Sequence, residues 1–527
     1  MSDDRTSESA GAPAPQATGD FLSDAAGQGE GGTFFGHPRG LATLFFTEMW
    51  ERFGFYGMRA LLVLFMTAAI TDPNAGLGFS VERSGAIVGL FFAAVYMASL
   101  PGGWVADRLI GQRRAVLYGG IFIALGYYGM ALPARLTFYI SMVLVVIGTG
   151  LLKPNVSTMV GELYPDRSAA GNARRDAGFS IFYMGINLGA FLSPLVAGFI
   201  GQKINWHLGF ATAGVGMTLG LIQYVLGARH LGDAGLEAHT GGPQQLARNW
   251  LNLLLALLGL GLLGALLLGV FHVGVSAITH AASYIITVLA IGYLAFVALF
   301  AKLPMEERKR VVVIGLFFVA AAVFWSGGEQ AGSSLNLVAQ QLTNMHVFGW
   351  NAPASWLQSV NPLLIIALAP VFAWIWVSLA NRHMEPSSPL KFSFGLILLG
   401  ASFAVLIAAT SLAAGGHRIS PLWLIFSYFL ETCGELSLSP IGLSAITRLA
   451  PQRMVGQMMG IWFMATSLGD LFAGLMAASL GGGAGTSEIS ASAAHSAFTL
   501  MASVAVGAGL LMLIAAPWAK KLIGSAE

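Results

Sequence analysis

The chain is a succession of apolar stretches, separated by short segments rich in proline, glycine or charged residues. Many of these stretches reach about 20 residues, the length at which a helix spans the hydrocarbon core of a bilayer. Only 10% of the 527 residues are charged and 56% are hydrophobic, whereas ordinary soluble proteins are about 25% charged. The sequence therefore predicts an all-α polytopic membrane protein.

Hydropathy and the intervening loops predict about fourteen membrane helices. The predicted spans are 41–70, 84–106, 113–132, 137–161, 176–202, 207–228, 249–273, 279–301, 311–343, 355–380, 391–413, 421–448, 453–480 and 495–519. Residues 1–33 are rich in serine, glycine, alanine and proline and lack an apolar segment. They are predicted to be a disordered cytoplasmic tail rather than a signal peptide.

Lysine and arginine are divided unevenly between the two sets of loops. The richer set includes the loops with Arg108, Arg113 and Arg114, and with Lys302, Arg308, Lys309 and Arg310. The opposite loops hold only Arg83, Arg135, Lys203 and Arg418. Because positively charged loops stay on the cytoplasmic side, both termini are expected in the cytoplasm. An even number of helices agrees with this expectation.

Two related stretches indicate an internal repeat. The segments "KPNVSTMVGELYP" and "SPIGLSAITRLAP" each end a predicted helix, and in both, two prolines stand eleven residues apart, beginning at Pro154 and Pro440. Parallel six-helix repeats are typical of transporters that bind substrate between the halves, near the midplane. The predicted organisation is a tail over 1–33, a first six-helix bundle over 34–228, an inserted lipid-facing helix pair over 248–301 and a second bundle over 308–521.

Four charged residues interrupt the first apolar stretch, "FFTEMWERFGFYGMRALLVLFM", at Glu48, Glu51, Arg52 and Arg59. On a helical wheel these four residues, together with Phe55 and Tyr56, fall within an arc of about 140°. A charge at the centre of a lone membrane helix costs roughly 2.5–3.5 kcal/mol, so this face is expected to look onto a water-filled interior. The alternative is a helix-stabilising ion pair between Glu48 and Arg52 that has no role in transport.

Ionisable residues also occur in later apolar segments. Lys153 precedes a helix-interrupting proline, and Glu329 follows two glycines that suggest a loosened helix. Glu431, Glu435 and Asp470 lie in the second half. Carboxyl groups that exchange protons beside competing basic groups can act as a proton switch. Basic groups from one half and acids from the other are suited to hold both ends of a zwitterion.

The segment "EMWERFGFYGMR" resembles the ExxERFxYYG motif of the proton-dependent oligopeptide transporters, a branch of the major facilitator superfamily. The segments "GGWVADRLIGQRR", "RDAGFSIFYMGINLGAFLSPLVAG" and "GELSLSPIGLSAITRLAP" are also similar to that family, and the similarity runs from about residue 34 onward. The resemblance implies the major facilitator fold, with two six-helix bundles and an extra helix pair. It also implies a symporter in the bacterial inner membrane that imports di- and tripeptides with protons by alternating access.

The resemblance further implies roles for individual residues. Proton coupling is assigned to Glu48, Glu51, Arg52, Lys153, Glu329 and Glu435, and a gate to Arg59 with Glu329. Peptide binding is assigned to Arg52, Tyr56, Arg59, Tyr96, Lys153, Asn187, Trp325, Asn361, Glu435 and Trp462. Lys153 is expected to pair with the first-helix motif or with Glu435 and to help hold the peptide carboxylate, while Asn361 and Glu435 hold the amino terminus.

The chain departs from the family pattern at two positions. Phe55 replaces the first tyrosine of the usual "YYG", and Gly328 stands where some members carry a second acid. Both changes bear on side-chain preference rather than on the class of substrate. Glu431 and Asp470 match no motif and are interpreted as interior polar groups.

Two other functions fit the same fold: a proton-coupled carrier of another small solute, such as nitrate or a peptide-like drug, and a peptide receptor that does not transport. An enzyme is not expected, because the polar segments contain no nucleophile motif, phosphate loop or metal-ligand cluster. No cofactor is expected beyond the proton gradient. The expected partners are small peptides, protons and lipid, with no nucleic acid, and the protein is expected to be a monomer.

Overall fold

The structure is a computed structural model that describes residues 33–166, 168–236, 238, 242–265, 273–347, 349–451, 454–483 and 485–524. The predicted tail, apart from Thr33, and part of the predicted span 249–273 lie outside these ranges. The helices are α1 Arg39–Thr67, α2 Val81–Val105, α3 Gln112–Met130, α4 Arg135–Glu162, α5 Ala169–Lys203, α6 Trp206–Gly227, α7 Pro243–Ala265, α8 Val275–Phe300, α9 Met305–Gly328, α10 Ser334–Gln341, α11 Val360–Asn381, α12 Ser388–Ala414, α13 Pro421–Leu449, α14 Val455–Ala478 and α15 Ala491–Ile523.

All of these helices except the short α10 are long, so the described residues agree with the predicted number of about fourteen. Within the described ranges, ten helical segments are long and apolar enough to cross a membrane, by length and composition alone. Helix α1 is not among them, since its charged residues interrupt the apolar run. One short antiparallel hairpin joins β1, His346–Val347, to β2, Trp350–Asn351.

The long helices form two six-helix bundles and an extra pair, as predicted. Helices α1–α6 pack with one another, and so do α9 and α11–α15. The bundles meet where α2 packs against α14 and α5 packs against α11. Of the extra pair, α8 lies on α2, α9 and α14, and its outer face exposes large apolar side chains such as Tyr284 and Val288. The exact residue boundaries of the predicted domains stay a prediction.

The predicted span 311–343 falls largely within one candidate membrane span, Met305–Gln341, but it is not one continuous helix. Helix α9 ends at Gly328, a 3₁₀ turn covers Glu329–Gly332, and α10 follows after Ser333. Glycines and serines at this point have low helix propensity, which permits the change of backbone path. The break matters because it leaves the Glu329 side chain at the end of α9, between the two bundles.

Helix α5 begins at a hydrogen-bonded cap. The Ser168 hydroxyl accepts a hydrogen bond from the Gly171 amide at 3.1 Å, as expected for an N-cap. The Ser168 amide and hydroxyl donate to the Asp166 carboxylate at 2.9 and 2.8 Å. These two bonds hold the pKa of Asp166 below its ordinary value, because they favour the ionised form.

Glycines bring α2 and α14 into backbone contact. A Cβ atom on Gly89 would lie 2.9 Å from the Gly474 Cα atom, and a Cβ atom on Gly474 would collide with Gly89. Small residues at membrane helix crossings permit this close approach. The bundles are therefore joined here by main-chain packing.

Substituting Gly474 by alanine is expected to lower transport about tenfold. Overpacking a tight contact costs about 1–3 kcal/mol, and 1.4 kcal/mol corresponds to a factor of ten. Gly292→Ala on α8 is the matched control, because its added methyl would meet no atom within 4 Å. Initial uptake rates in proteoliposomes measure the effect. Equal rates for the two variants would contradict the idea that this crossing must close tightly.

Candidate functional site

The acidic and basic residues in the middle of α1 form one buried cluster. Arg52 Nε lies 3.1 Å from Glu48 Oε1 and also donates to the Glu51 carboxylate. All three side chains are at most 5% exposed. The expectation that this face looks onto water is therefore wrong for these three residues, because α1 is buried on nearly every side between Gly40 and Thr67.

Helix α5 covers this part of α1. The segment "FYMGINLGAF" places Gly189 against the backbone of α1, where any Cβ atom would collide with the Met49 carbonyl oxygen. One turn later the Ser193 hydroxyl donates to the Phe53 carbonyl. Gly189 therefore permits α5 to approach α1 so closely that solvent is excluded from the charged cluster.

The second ion pair joins the two bundles. Arg59 Nη2 on α1 lies 2.9 Å from Glu329 Oε2, and the same nitrogen is 3.3 Å from the Glu329 carbonyl oxygen. Both side chains are 8% exposed. The Arg59 guanidinium also lies over the rings of Tyr56 and Phe92, at 5.8 and 5.5 Å from their centroids. The break after α9 supplies both of the Glu329 groups that Arg59 contacts.

Further hydrogen bonds connect the bundles near this pair. Asn336 donates to the Ala60 carbonyl at 2.9 Å, and Gln202 donates to Gln340 Oε1 at 2.8 Å. The Trp356 indole nitrogen donates to the Leu195 carbonyl at 3.1 Å. We call the end of the molecule that holds these bonds, at the carboxyl ends of α1 and α5, the bonded end.

Six of the predicted site residues are only partly buried, three on the first bundle and three on the second. They are Tyr56, Tyr96, Lys153, Trp325, Asn361 and Glu435. Lys153 Nζ lies 4.0 Å from the centroid of the Tyr96 ring. Tyr56 lies within electrostatic range of Arg52 on the first bundle and of Glu435 on the second.

The predicted basic and acidic site residues are held differently. Asn361 Nδ2 donates to Glu435 Oε2 and to Thr432 Oγ1, both at 3.0 Å. These bonds fix the Glu435 carboxyl on the second bundle. Among the described residues, Lys153 has no carboxylate oxygen within 4.0 Å, so the structure contains neither of the ion pairs that were expected for it.

Two further predicted site residues, Asn187 and Trp462, are buried. Asn187 is 5% exposed and donates to the Tyr183 carbonyl on its own helix. Trp462 is 4% exposed, and its ring meets Phe392 edge-on at 6.4 Å. A role for either residue in peptide binding stays a prediction.

Sequence reasoning assigned no role to Glu431 and Asp470, which it interpreted as interior polar groups, and it did not single out Tyr183. Glu431 and Asp470 are 3% and 2% exposed, and each interacts electrostatically with Glu329 and Arg59. Tyr183 is 45% exposed and interacts with Glu435. The spacing of Glu431 and Glu435 on one helix face was an available signal for the first. Among the described residues, no group of three or more histidine, cysteine, aspartate or glutamate side chains is placed to hold a metal ion.

Comparison with known proteins gives consistent matches. The family model described as the POT family matches residues 113–487. The peptide transporter YePEPT of Yersinia enterocolitica is 44% identical over 459 residues, covering 85% of this chain and 88% of its own. A di-/tripeptide transporter of Lactococcus lactis is 39% identical, covering 82% and 88%. A crystal structure of a peptide transporter POT with sulfate is 40% identical, with a TM-score of 0.86, covering 96% and 99%.

Proposed function

The chain belongs to the POT family, and from this premise we propose that it is a proton-coupled symporter importing di- and tripeptides by alternating access. It is an integral membrane transporter and not an enzyme. We place it in the bacterial inner membrane with both termini in the cytoplasm, as the distribution of Lys and Arg favours. With that orientation, the bonded end faces outward.

The observation that carries the proposal is that a basic group of the first bundle and an acidic group of the second bundle are both left without an ion-pair partner among the described residues. The first bundle offers the Lys153 ammonium, which has no carboxylate within 4.0 Å among the described residues. The second bundle offers the Glu435 carboxyl, fixed by Asn361. A short peptide is a zwitterion with one carboxylate and one ammonium. Lys153, together with Arg52, suits the peptide carboxylate, and Glu435 with Asn361 suits the amino terminus.

Aromatic residues complete the proposed binding space. Tyr56, Tyr96 and Trp325 present large, partly exposed surfaces there, and the Trp325 indole nitrogen has no hydrogen-bond partner among the described residues. Peptides differ in their side chains but share both termini. Charged residues would bind the two termini, and adaptable aromatic residues would contact the peptide side chains. Such a site would therefore bind peptides of many different sequences.

An excess of acids supports proton coupling. Six carboxyl residues surround the charged region, and only three basic residues accompany them; the acids are Glu48, Glu51, Glu329, Glu431, Glu435 and Asp470, and the bases are Arg52, Arg59 and Lys153. Burying uncompensated charge is costly. Proton uptake by some of these acids removes that cost. The number of protons that these acids bind therefore depends on which ion pairs are formed in this region.

We assign the coupling steps as follows. Protonation of Glu329 weakens its ion pair with Arg59 and lets the bonded end open toward the outside. Protonation within the Glu48 and Glu51 pair releases Arg52 toward the peptide carboxylate. After the bundles rock, proton loss to the cytoplasm restores the ion pairs and expels the peptide.

The available driving force is sufficient for accumulation. One charge moving through 100 mV supplies about 2.3 kcal/mol, and 1.4 kcal/mol is a factor of ten. One proton per peptide therefore supports roughly fifty-fold accumulation before any contribution from a pH gradient.

A competition panel in proteoliposomes tests the proposed substrate. Uptake of labelled dialanine is measured with an inward proton gradient, against unlabelled dipeptides, tripeptides, single amino acids and nitrate. We expect strong competition from dipeptides and tripeptides only, since nitrate has no ammonium for Glu435. Competition by nitrate but not by peptides would favour an anion carrier. Binding of dialanine without flux would favour a receptor.

A further inference from the structure

A cavity on the first bundle lies apart from the residues of the proposed transport cycle. It has a volume of about 570 Å³ and is bordered by the beginning of α1 and the end of α6. Among the described residues that line it, none belongs to the predicted proton-coupling, gate or peptide-binding sets. Its size is in the range of cavities that bind small organic molecules. The peptide cycle therefore gives this cavity no role.

The cavity is basic where the two helices meet the end of the molecule. Arg39 is the first residue of α1, and Arg229 lies two residues after the end of α6; both are exposed, and both line the cavity. His230 lines it as well. Among the described residues, no acidic side chain lines the cavity, and neither arginine has a carboxylate oxygen within 4.0 Å. Two arginines without a counter-charge in the described part of the chain therefore border one cavity.

The part of the cavity wall further along the helices is apolar. Phe46 on α1 and Leu219, Ile222 and Leu226 on α6 line the cavity, and each is at least 37% exposed. Phe46 lies about 10 Å along α1 from Arg39, at 1.5 Å per residue. Exposed apolar side chains on a membrane helix contact lipid tails. The cavity therefore passes from a basic end to a surface suited to an acyl chain.

The two helices that form the cavity are joined directly beside it. The Thr43 hydroxyl on α1 donates to the Gly227 carbonyl at the end of α6, at 3.2 Å, and the Thr47 hydroxyl donates to Gln223 Oε1 at 3.3 Å. A Cβ atom on Gly227 would lie 2.5 Å from Thr43 Oγ1, so glycine is needed for this approach. The walls are fixed before any ligand binds, which lowers the cost of binding.

We propose that this cavity binds one anionic phospholipid, with its phosphate beside Arg39 and Arg229 and an acyl chain against the apolar wall. The two arginines and the lack of acids along the described lining select a negative headgroup, while the apolar wall provides a surface that a soluble anion would leave uncovered. Basic pockets between membrane helices on the cytoplasmic side are typical sites for anionic headgroups. The cavity lies at the amino end of α1, opposite the bonded end, so in the proposed orientation the lipid belongs to the cytoplasmic leaflet.

Native mass spectrometry of the delipidated full-length protein tests the site, with dioleoyl phosphatidylglycerol and dioleoyl phosphatidylcholine as probes. An arginine near an anionic lipid contributes about fivefold in affinity, so Arg39→Gln combined with Arg229→Gln should raise the Kd of the first bound phosphatidylglycerol about twenty-five-fold. The Kd of phosphatidylcholine should change by less than about threefold. Arg382→Gln combined with Arg448→Gln is the control, because it removes the same charge from two exposed arginines that do not line this cavity.

An unchanged Kd for phosphatidylglycerol in the Arg39 and Arg229 double variant overturns the proposal, and leaves the acidic segment 1–32 as the counter-charge to be considered for these arginines. Equal weakening in the control also overturns it, since net charge would then explain the effect. Displacement of the lipid by excess inorganic phosphate would assign the cavity to a soluble anion instead. If the double variant is not recovered folded, the wild type decides: a Kd for phosphatidylglycerol less than about tenfold below that for phosphatidylcholine overturns the proposal. None of these results depends on peptide uptake, so the proposed function fails or stands separately.

Discussion

Glutamine at position 51 is expected to abolish proton-driven accumulation of dialanine while counterflow exchange of labelled peptide continues. Glu51 is fully buried and pairs with Arg52. Glutamine keeps the shape of the side chain but has no ionisable proton. Counterflow needs binding and rocking without net proton movement, so it should persist. Accumulation should fall from roughly fifty-fold to none, since no proton is carried.

The control for this experiment is Glu82→Gln, which removes an exposed acid at the start of α2. It should accumulate peptide as the wild type does. Loss of both counterflow and accumulation in Glu51→Gln would indicate a folding or binding defect. Accumulation at the wild-type level in Glu51→Gln would mean that the buried carboxyl of α1 does not couple protons to transport.

The second large effect is expected at Lys153. Removing one member of a desolvated charge pair costs about 2–5 kcal/mol, so Lys153→Ala should weaken dialanine uptake by at least about thirtyfold in kcat/KM. The loss should depend on the peptide carboxylate. Dialanine with an amidated carboxyl terminus should be transported equally poorly by the wild type and by Lys153→Ala.

A matched experiment addresses the opposite end of the peptide. Glu435→Gln should show the same pattern with N-acetylated dialanine, because the acetyl group removes the ammonium. If Lys153→Ala discriminates between free and amidated dialanine as strongly as the wild type does, then Lys153 does not bind the carboxylate. The two probes together establish the direction in which a peptide lies between the bundles.

The fold was predictable from the sequence because each membrane helix can be recognised from the residues of its own segment. Each apolar stretch must satisfy its own backbone hydrogen bonds, so length and hydropathy suffice to find it. The glycines before Glu329 also indicated a loosened helix, yet the predicted span ran through the break. The exact path of the chain there depends on contacts with α1, which are distant in sequence.

The environment of the charged residues was less accessible to prediction. A helical wheel places Glu48, Glu51 and Arg52 on one face, but it does not show that α5 covers that face through Gly189. The hydrogen bond from Asn336 to the Ala60 carbonyl likewise joins residues 276 positions apart in the chain. Helix periodicity describes only one element at a time. Contacts between bundles require the assembled structure.

Proton entry evoked by peptide tests the central claim most directly. Proteoliposomes with an inside-negative potential and no pH gradient are loaded with a pH-sensitive dye, and dialanine is added outside. We predict that the interior acidifies with the wild-type protein and stays unchanged with Glu51→Gln. Accumulation of labelled dialanine against its gradient, without any acidification, would contradict the conclusion that the buried acids carry protons with the peptide.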